Sequence, residues 1–438
     1  MCSPENPRLR VVIAGAGIAG LTAAIALRKH PLIDVQVYEQ APELLEIGAS
    51  IALGPNGLRT LERLGLQNAI SNEVCYRGPS NLPMIYRHWK TGEVIGNDKH
   101  DNVNERLHRT ARYHRGHLHG ALLDNVPKEM IHLGKKAVGV DVFGDGVTLR
   151  FEDGTTAQAD ILIGADGLKS AVRQFFVPDF KLLWSGWTAY RTCFDASLTK
   201  SIPNLPEDSI HWWGTTTSFF SSKLGKNSYT VVGSIFVDPD DPSAQLKDAE
   251  WDEKASVQAF RDLFTDWNPV VKALAEVTPS VRLFPNFSCA GTLDSWIFGN
   301  RVVLIGDAAH AHGGAHATGG SLAIDDAYAL SLALNSVFPV TATQKPSTEQ
   351  ISKAFKVYER TRKPHAEKLL KLVHSNNAAR IAKLRAGHVE TDDELRVRAS
   401  KGSNTNWLHE HDVVKTFEKT LGAYKETGDD FQEAKARL

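Results

Sequence analysis

Residues 9–39 read LRVVIAGAGIAGLTAAIALRKHPLIDVQVYE. Leu9–Ala14 is short, apolar and rich in β-branched residues, which predicts a strand buried on both faces. Gly15-Ala-Gly17-Ile-Ala-Gly20 follows at once, then an alanine-rich helical pattern over 21–29 that His30-Pro31 stops. Residues 35–38 predict a second strand, closed by Glu39. The order is that of a βαβ unit with its glycines at the first strand-to-helix turn. Gly15 permits the tight turn, Gly17 lets the backbone approach a pyrophosphate, and Gly20 lets the helix pack closely on the strand. The free N–H groups and positive dipole of the helix start then favour phosphate. Glu39 lies where a carboxylate accepts hydrogen bonds from ribose hydroxyls, and an acid there disfavours a 2′-phosphate. The expected ligand is FAD or NAD rather than NADP.

Further along, 56–66 predict a short helix closed near Gly65, and 135–150 alternate around Gly144-Asp-Gly146 as a hairpin does. Residues 161–163 form another buried run, followed by Gly164-Ala-Asp166-Gly167-Leu-Lys-Ser170-Ala-Val-Arg173. From 184 to 237, Trp, Tyr, Phe, Thr and Val alternate with period two, predicting an antiparallel sheet. A buried strand returns at 302–305, followed by Gly306-Asp307-Ala-Ala-His310 and an apolar helix over 321–334. The tail from 350 reads as mostly helical, interrupted at Pro364 and by a polar stretch over 387–406. The expected architecture is α/β. A Rossmann-like dinucleotide domain is assembled from 1–180 and 281–345, an antiparallel-sheet substrate domain occupies 181–280, and a helical region spans 346–438.

Composition narrows the function classes. A net charge of -1 over 438 residues gives no global field to recruit nucleic acid or an anionic membrane. Basic residues around Lys368, Lys371, Arg380, Lys383 and Arg385 fall along a helix and read as a solvated face. Cys2, Cys75, Cys193 and Cys289 match neither a zinc spacing nor a disulfide framework, which favours a reducing compartment. The polar start MCSPENPRLR leaves no room for a signal peptide, and the apolar runs are too short to span a bilayer. A cytoplasmic protein is expected.

An aspartate at a strand end beside glycine can orient backbone amides or accept hydrogen bonds from a polyol; it can also simply cap the next helix. Asp166 and Asp307 both stand so placed. Together with the glycine turn, these motifs resemble those of the single-component flavoprotein aromatic hydroxylases, the group that includes p-hydroxybenzoate and salicylate hydroxylases. The resemblance runs from about residue 9 to 385. It implies an FAD-binding domain of the p-hydroxybenzoate hydroxylase kind, with FAD as cofactor and NAD(P)H, O2 and a phenol as substrates. By that resemblance Glu39 binds the adenosine ribose and Ala52 and Arg115 lie along the cofactor. Asp166 meets both FAD and NAD(P)H, Asp307 holds the ribityl chain, and Gly319 and Gly320 lie beside the isoalloxazine. It also implies a flavin C4a-hydroperoxide attacked by the carbon ortho to a phenolate.

Many relatives carry proline after the GDAAH motif, whereas this chain has His312-Gly313-Gly314-Ala315-His316. The stretch over 306–329 is similar to that of fungal hydroxylases that dearomatise polyketide phenols in secondary metabolism. That resemblance implies a resorcinol-type substrate, and an alkylated carbon would yield a hydroxy-dienone rather than a catechol. In that fungal group an arginine and a tyrosine anchor the substrate, which points here to Arg191 and Tyr229. Alternation puts Trp187, Ala189, Arg191 and Cys193 on one face of their strand, and Tyr229, Val231, Gly233 and Ile235 on one face of theirs. An arginine among aromatic residues is costly to bury unpaired, and beside a phenol it favours the phenolate. The alternatives are a surface pair of Arg191 with Asp195 and plain sheet packing for Tyr229. His310, His312 and His316 have no fixed helical face and no carboxylate partner, so no metal is expected. A salicylate-type hydroxylase giving a catechol, a flavin-dependent reductase and a non-catalytic nucleotide-binding scaffold remain as rival readings. The oligomeric state is expected to be monomer or homodimer.

Overall fold

The computed structural model describes residues 8–44, 49–241, 252–401 and 405–427. The polar start over 1–7, Cys2 included, and the end of the helical region over 428–438 lie outside the described residues. A six-stranded sheet is built from pieces far apart in sequence, in the order Ile297–Phe298, Val302–Leu304, Ile161–Gly164, Leu9–Ala14, Ile33–Tyr38, Ile131–His132. Only the outermost pair, Ile297–Phe298 with Val302–Leu304, is antiparallel. Parallel pairing demands a crossover, and the helix Ile18–Leu27 supplies the first one, buried along its whole length. Two glycines of its turn are sterically required. Gly15 sits at φ +100, and a Cβ on Gly20 would fall 1.9 Å from the Gly15 carbonyl oxygen.

The second sheet has eight strands, in the order Glu253–Ala255, Val281–Cys289, Leu182–Asp195, Ser228–Phe236, Thr217–Lys223, Ile210–Trp213, Met84–His88, Val94–Asp98. The expected boundaries of 181–280 are therefore too narrow, because strands from 84–98 and 281–289 belong to this sheet. Met84–His88 pairs in parallel with Ile210–Trp213, a contact across more than a hundred residues that leaves no hairpin signal in the sequence. One face packs on the helices Val257–Asp262 and Pro269–Val277 through a core containing Trp212, Phe219, Phe260 and Phe264. The opposite face walls a large cavity.

The C-terminal region departs from expectation twice. A helix runs unbroken from Thr348 to Arg385 with Pro364 inside it. Proline removes one hydrogen bond and crowds the preceding turn. Buried Tyr358 and Arg362 before it, and Leu369 and Leu370 after it, hold both halves to the core and override that local preference. The stretch expected to be polar and irregular contains the helix Asp392–Ser400, started by a capping box of Thr391 with Glu394. Among the described residues no helix is long and apolar enough to cross a membrane.

Candidate active site

The cavity, about 2120 Å³, lies between the two sheets and is closed on its third side by the helix Thr348–Arg385 and the segment after it. At one end the strand Leu9–Ala14 delivers its glycine turn. Gly17 begins the helix with no side-chain cap, so the first N–H groups of that helix face open space, and a Cβ on Gly17 would meet nothing within 4 Å. Glu39 lines the same end, its Oε2 accepting from the Ala16 N–H at 2.8 Å and its Oε1 from the Ala41 N–H at 2.9 Å. Arg115 opens the helix Arg115–Leu123, and its backbone N–H donates to the Ala49 carbonyl at 2.8 Å. Ala52 lines the wall from the strand Ser50–Leu53, which pairs with Ala111–His114.

Asp307 is exposed to the cavity, and its carboxylate makes no hydrogen bond with any described residue. Gly319 and Gly320 open the helix Gly319–Val337, whose start also lacks a side-chain cap. Asp166 lines the cavity, but its carboxylate is already engaged: it accepts from Ser170 Oγ at 2.5 Å and the Val172 N–H at 3.0 Å. Both bonds tie it to the start of the helix Ala171–Phe176, whose N-cap is Ser170; burial raises its pKa against them. Two uncapped helix starts, an acid at the end of the second strand and an unpartnered aspartate thus share one elongated cleft. That donor and acceptor set fits the pyrophosphate, ribose and ribityl groups of FAD.

The GDAAH turn is held from behind. Asp326, fully buried, accepts from the Gly306 N–H at 2.9 Å and Arg362 Nε at 2.7 Å, and contacts His310 Nε2 at 2.6 Å. Burial alone would raise the Asp326 carboxyl; the charges of His310 and Arg362 hold it well below the usual range. His310 is thus a structural partner. After it, Gly313 and Gly314 both take φ +71, and His316 and Ala317 take φ 56 and 52. Two successive non-glycine residues in the left-handed region store strain beside the cavity. His316 lines the cavity wall, where burial lowers its pKa.

The substrate side resolves the two expected anchors differently. Arg191 points into the cavity, its guanidinium 5.5 Å from the Phe284 ring centroid, and a Cβ on Gly314 would lie 3.6 Å from its Nη2. Its buried Nε has no partner, no described carboxylate pairs with it, and burial lowers its pKa. The expected alternative pairing with Asp195 does not form; Asp195 instead accepts from the Ser197 N–H. Tyr229 is a correction. The register sets Arg191 opposite Val232 and Tyr229 opposite Phe194, so the two side chains leave the sheet on opposite faces. Tyr229 is 1% exposed, packed in the core away from the cavity with its ring 5.8 Å from that of Phe194.

Several lining residues carry no sequence signal of their own. Tyr86 donates to Asp98 Oδ2 at 2.7 Å, and Arg112 donates to the Pro83 carbonyl and to Ser209 Oγ beside them. The parallel strand pair that brings these groups to His211 is invisible to a local reading. Arg380 corrects the expectation of a solvated basic face: it stacks 4.9 Å from the Trp187 ring centroid, inside the cavity. Val373, Asn377, Arg380 and Leu384 recur at helical spacing, the pattern that could have revealed it.

Residues 8–373 match the family model described as FAD binding domain. The chain is 32% identical to 6-hydroxynicotinate 3-monooxygenase of Pseudomonas fluorescens, over 85% of this chain and 91% of that protein. It is 28% identical to a salicylate hydroxylase of Pseudomonas putida, over 93% of each. A solved salicylate hydroxylase in complex with substrate superposes with a TM-score of 0.76 at 22% identity, covering 94% of this chain and 98% of that one. With the glycine turn, the two uncapped helix starts and the free Asp307 converging on one cleft, the chain belongs to the FAD-binding domain family, as one of its FAD-dependent aromatic hydroxylases.

Proposed function

We propose that this enzyme hydroxylates a phenolic, resorcinol-type ring held as its phenolate by Arg191. The observation that carries this reading is the Arg191 guanidinium, which faces the cavity with its Nε unpartnered. A half-buried cation without a counter-ion is costly, and a phenolate oxygen on its cavity side satisfies it. The same contact lowers the phenol pKa and raises electron density at the ortho carbon. The planar fork fixes the ring in one plane, as a lysine would not. FAD, when bound, accepts hydride from NAD(P)H and activates O2. The protein's share is to place the ring against the Gly313–Gly314 turn, to exclude water with Phe284 and its neighbours, and to balance the phenolate charge. If the attacked carbon carries an alkyl group, the product is a dearomatised hydroxy-dienone; if it carries hydrogen, a catechol.

The test is NAD(P)H oxidation by the FAD-loaded protein across a panel of alkylated resorcinols and salicylates, with product analysis. Resorcinols should accelerate oxidation and be converted one-to-one with NAD(P)H consumed. Equal oxidation with and without every phenol would overturn the reading in favour of a reductase.

A further inference from the structure

The cavity continues past Arg191 along the same strand face to Trp187, four residues and about 13 Å away at strand rise. There the lining changes from the flavin-facing turn to an aromatic box. Arg380 lies 4.9 Å from the Trp187 ring centroid and 5.5 Å from that of Phe236, with one hydrogen bond, to the Thr215 carbonyl at 3.3 Å. Arg398 stacks 4.4 Å from Trp213, but Glu390 neutralises it through contacts of 2.7 and 2.9 Å. Glu390 is thereby committed, and no other described carboxylate pairs with Arg380. Burial, then the nearby Arg398, pulls the Arg380 pKa down to about 10. Arg380 thus lies against an aromatic wall with no hydrogen-bonded carboxylate among the described residues, the Glu390 charge acting on it only from a distance while its oxygens bond Arg398.

We propose that this end of the cavity is a distal subsite for an anionic group, and that Arg380 selects extended aryl acids over single-ring phenols. The inference rests on the reading of Arg191 as the phenolate anchor. Trp187 and Phe236, tilted against each other with ring centroids 5.1 Å apart, form one aromatic wall beside the substrate body while Arg380 takes its terminal carboxylate, a charge-assisted contact that a neutral group cannot make. A single-ring phenol reaches Arg191 and leaves the Arg380 end filled with water.

The probes are 4′-hydroxystilbene-4-carboxylate and its methyl ester, titrated into the FAD-loaded enzyme and followed by the flavin absorbance. The acid should bind about ten- to a hundredfold more tightly than the ester in the wild type, the range for a hydrogen bond to a charged partner. Arg380→Gln should erase that preference by weakening the acid and not the ester, with FAD content retained. An acid preference that is absent in the wild type, or survives in Arg380→Gln, overturns the proposal, as does failure of both probes to bind. A rise in the KM for NADPH in Arg380→Gln, with the acid preference intact, would assign the cation to the dinucleotide instead. Single-ring phenols separate this failure from that of the proposed function: if they still accelerate NAD(P)H oxidation, only the distal subsite is lost.

Discussion

Arg191 and Tyr229 stand on neighbouring strands, and one residue of register separates a cavity-facing side chain from a core-facing one. Period two makes both legible as members of a face, but no local pattern says which face of the second strand meets the cavity. The glycines, Glu39 and Asp307 were legible because each answers a requirement of backbone geometry or phosphate charge within its own few residues. Asp166 was legible as a position and ambiguous as a role. The geometry yields a paired prediction. Arg191→Gln should retain FAD, lose most hydroxylation, and shift its pH profile upward, because the phenol must ionise without a cation. Removing a hydrogen bond to a charged group costs about 1.5–3 kcal/mol, or roughly ten- to a hundredfold in rate. Tyr229→Phe, by contrast, should leave substrate Kd and regiochemistry unchanged. Steady-state kinetics with product analysis decide it; a large change of regiochemistry in Tyr229→Phe would return that hydroxyl to the site.

At the scale of elements, the glycine turn separates folding from cofactor binding. A Cβ on Gly20 would collide with the Gly15 carbonyl oxygen at 1.9 Å, whereas one on Gly17 enters the open cleft. Gly20→Ala should therefore lower both the melting temperature and flavin content. Gly17→Ala should fold with a near-wild-type melt of the apoprotein and still lose FAD, because its methyl occupies the phosphate's approach. Thermal melts of apoprotein beside the flavin absorbance of purified protein test this, and equal melts for the two variants would contradict it. The helices show where local signals compete. The Thr391–Glu394 capping box is a local helix start inside a stretch that reads as polar and irregular, while Pro364 is a true breaker that tertiary packing overrides. Length and burial on both sides, not propensity, settle such a helix.

Across the whole molecule, buried histidines set the acid limit of stability. Burial first, with neighbouring cations or histidines, holds His100 at about 4 and His211, His409 and His411 at about 3. Each stays neutral in the fold but takes a proton near pH 6.5 once unfolded. The stability they preserve is therefore complete above pH 6.5 and is lost as pH falls toward 4 and 3. Each contributes a slope of up to about 1.4 kcal/mol per pH unit inside that window. The melting temperature should fall steeply between pH 6.5 and 5, with or without FAD; a flat profile over that range would contradict the burial of these rings. The two-sheet plan was legible from strand patterns alone. The strands borrowed from 84–98 were not, because only the assembled sheet gives them a partner.

The order of the six-stranded sheet also sets a timetable for biosynthesis. Leu9–Ala14 is paired on one side soon after it leaves the ribosome, by Ile33–Tyr38, but its other neighbour is Ile161–Gly164, which itself waits for Val302–Leu304. At translation rates of about 5–20 residues per second, that wait lasts roughly 15–60 s. Throughout it the nascent chain carries an unpaired apolar strand edge, a template for association with other chains. That exposed edge comes before any cofactor can cover the site, since neither Asp307 nor the helix after it exists to receive FAD until most of the chain has been made.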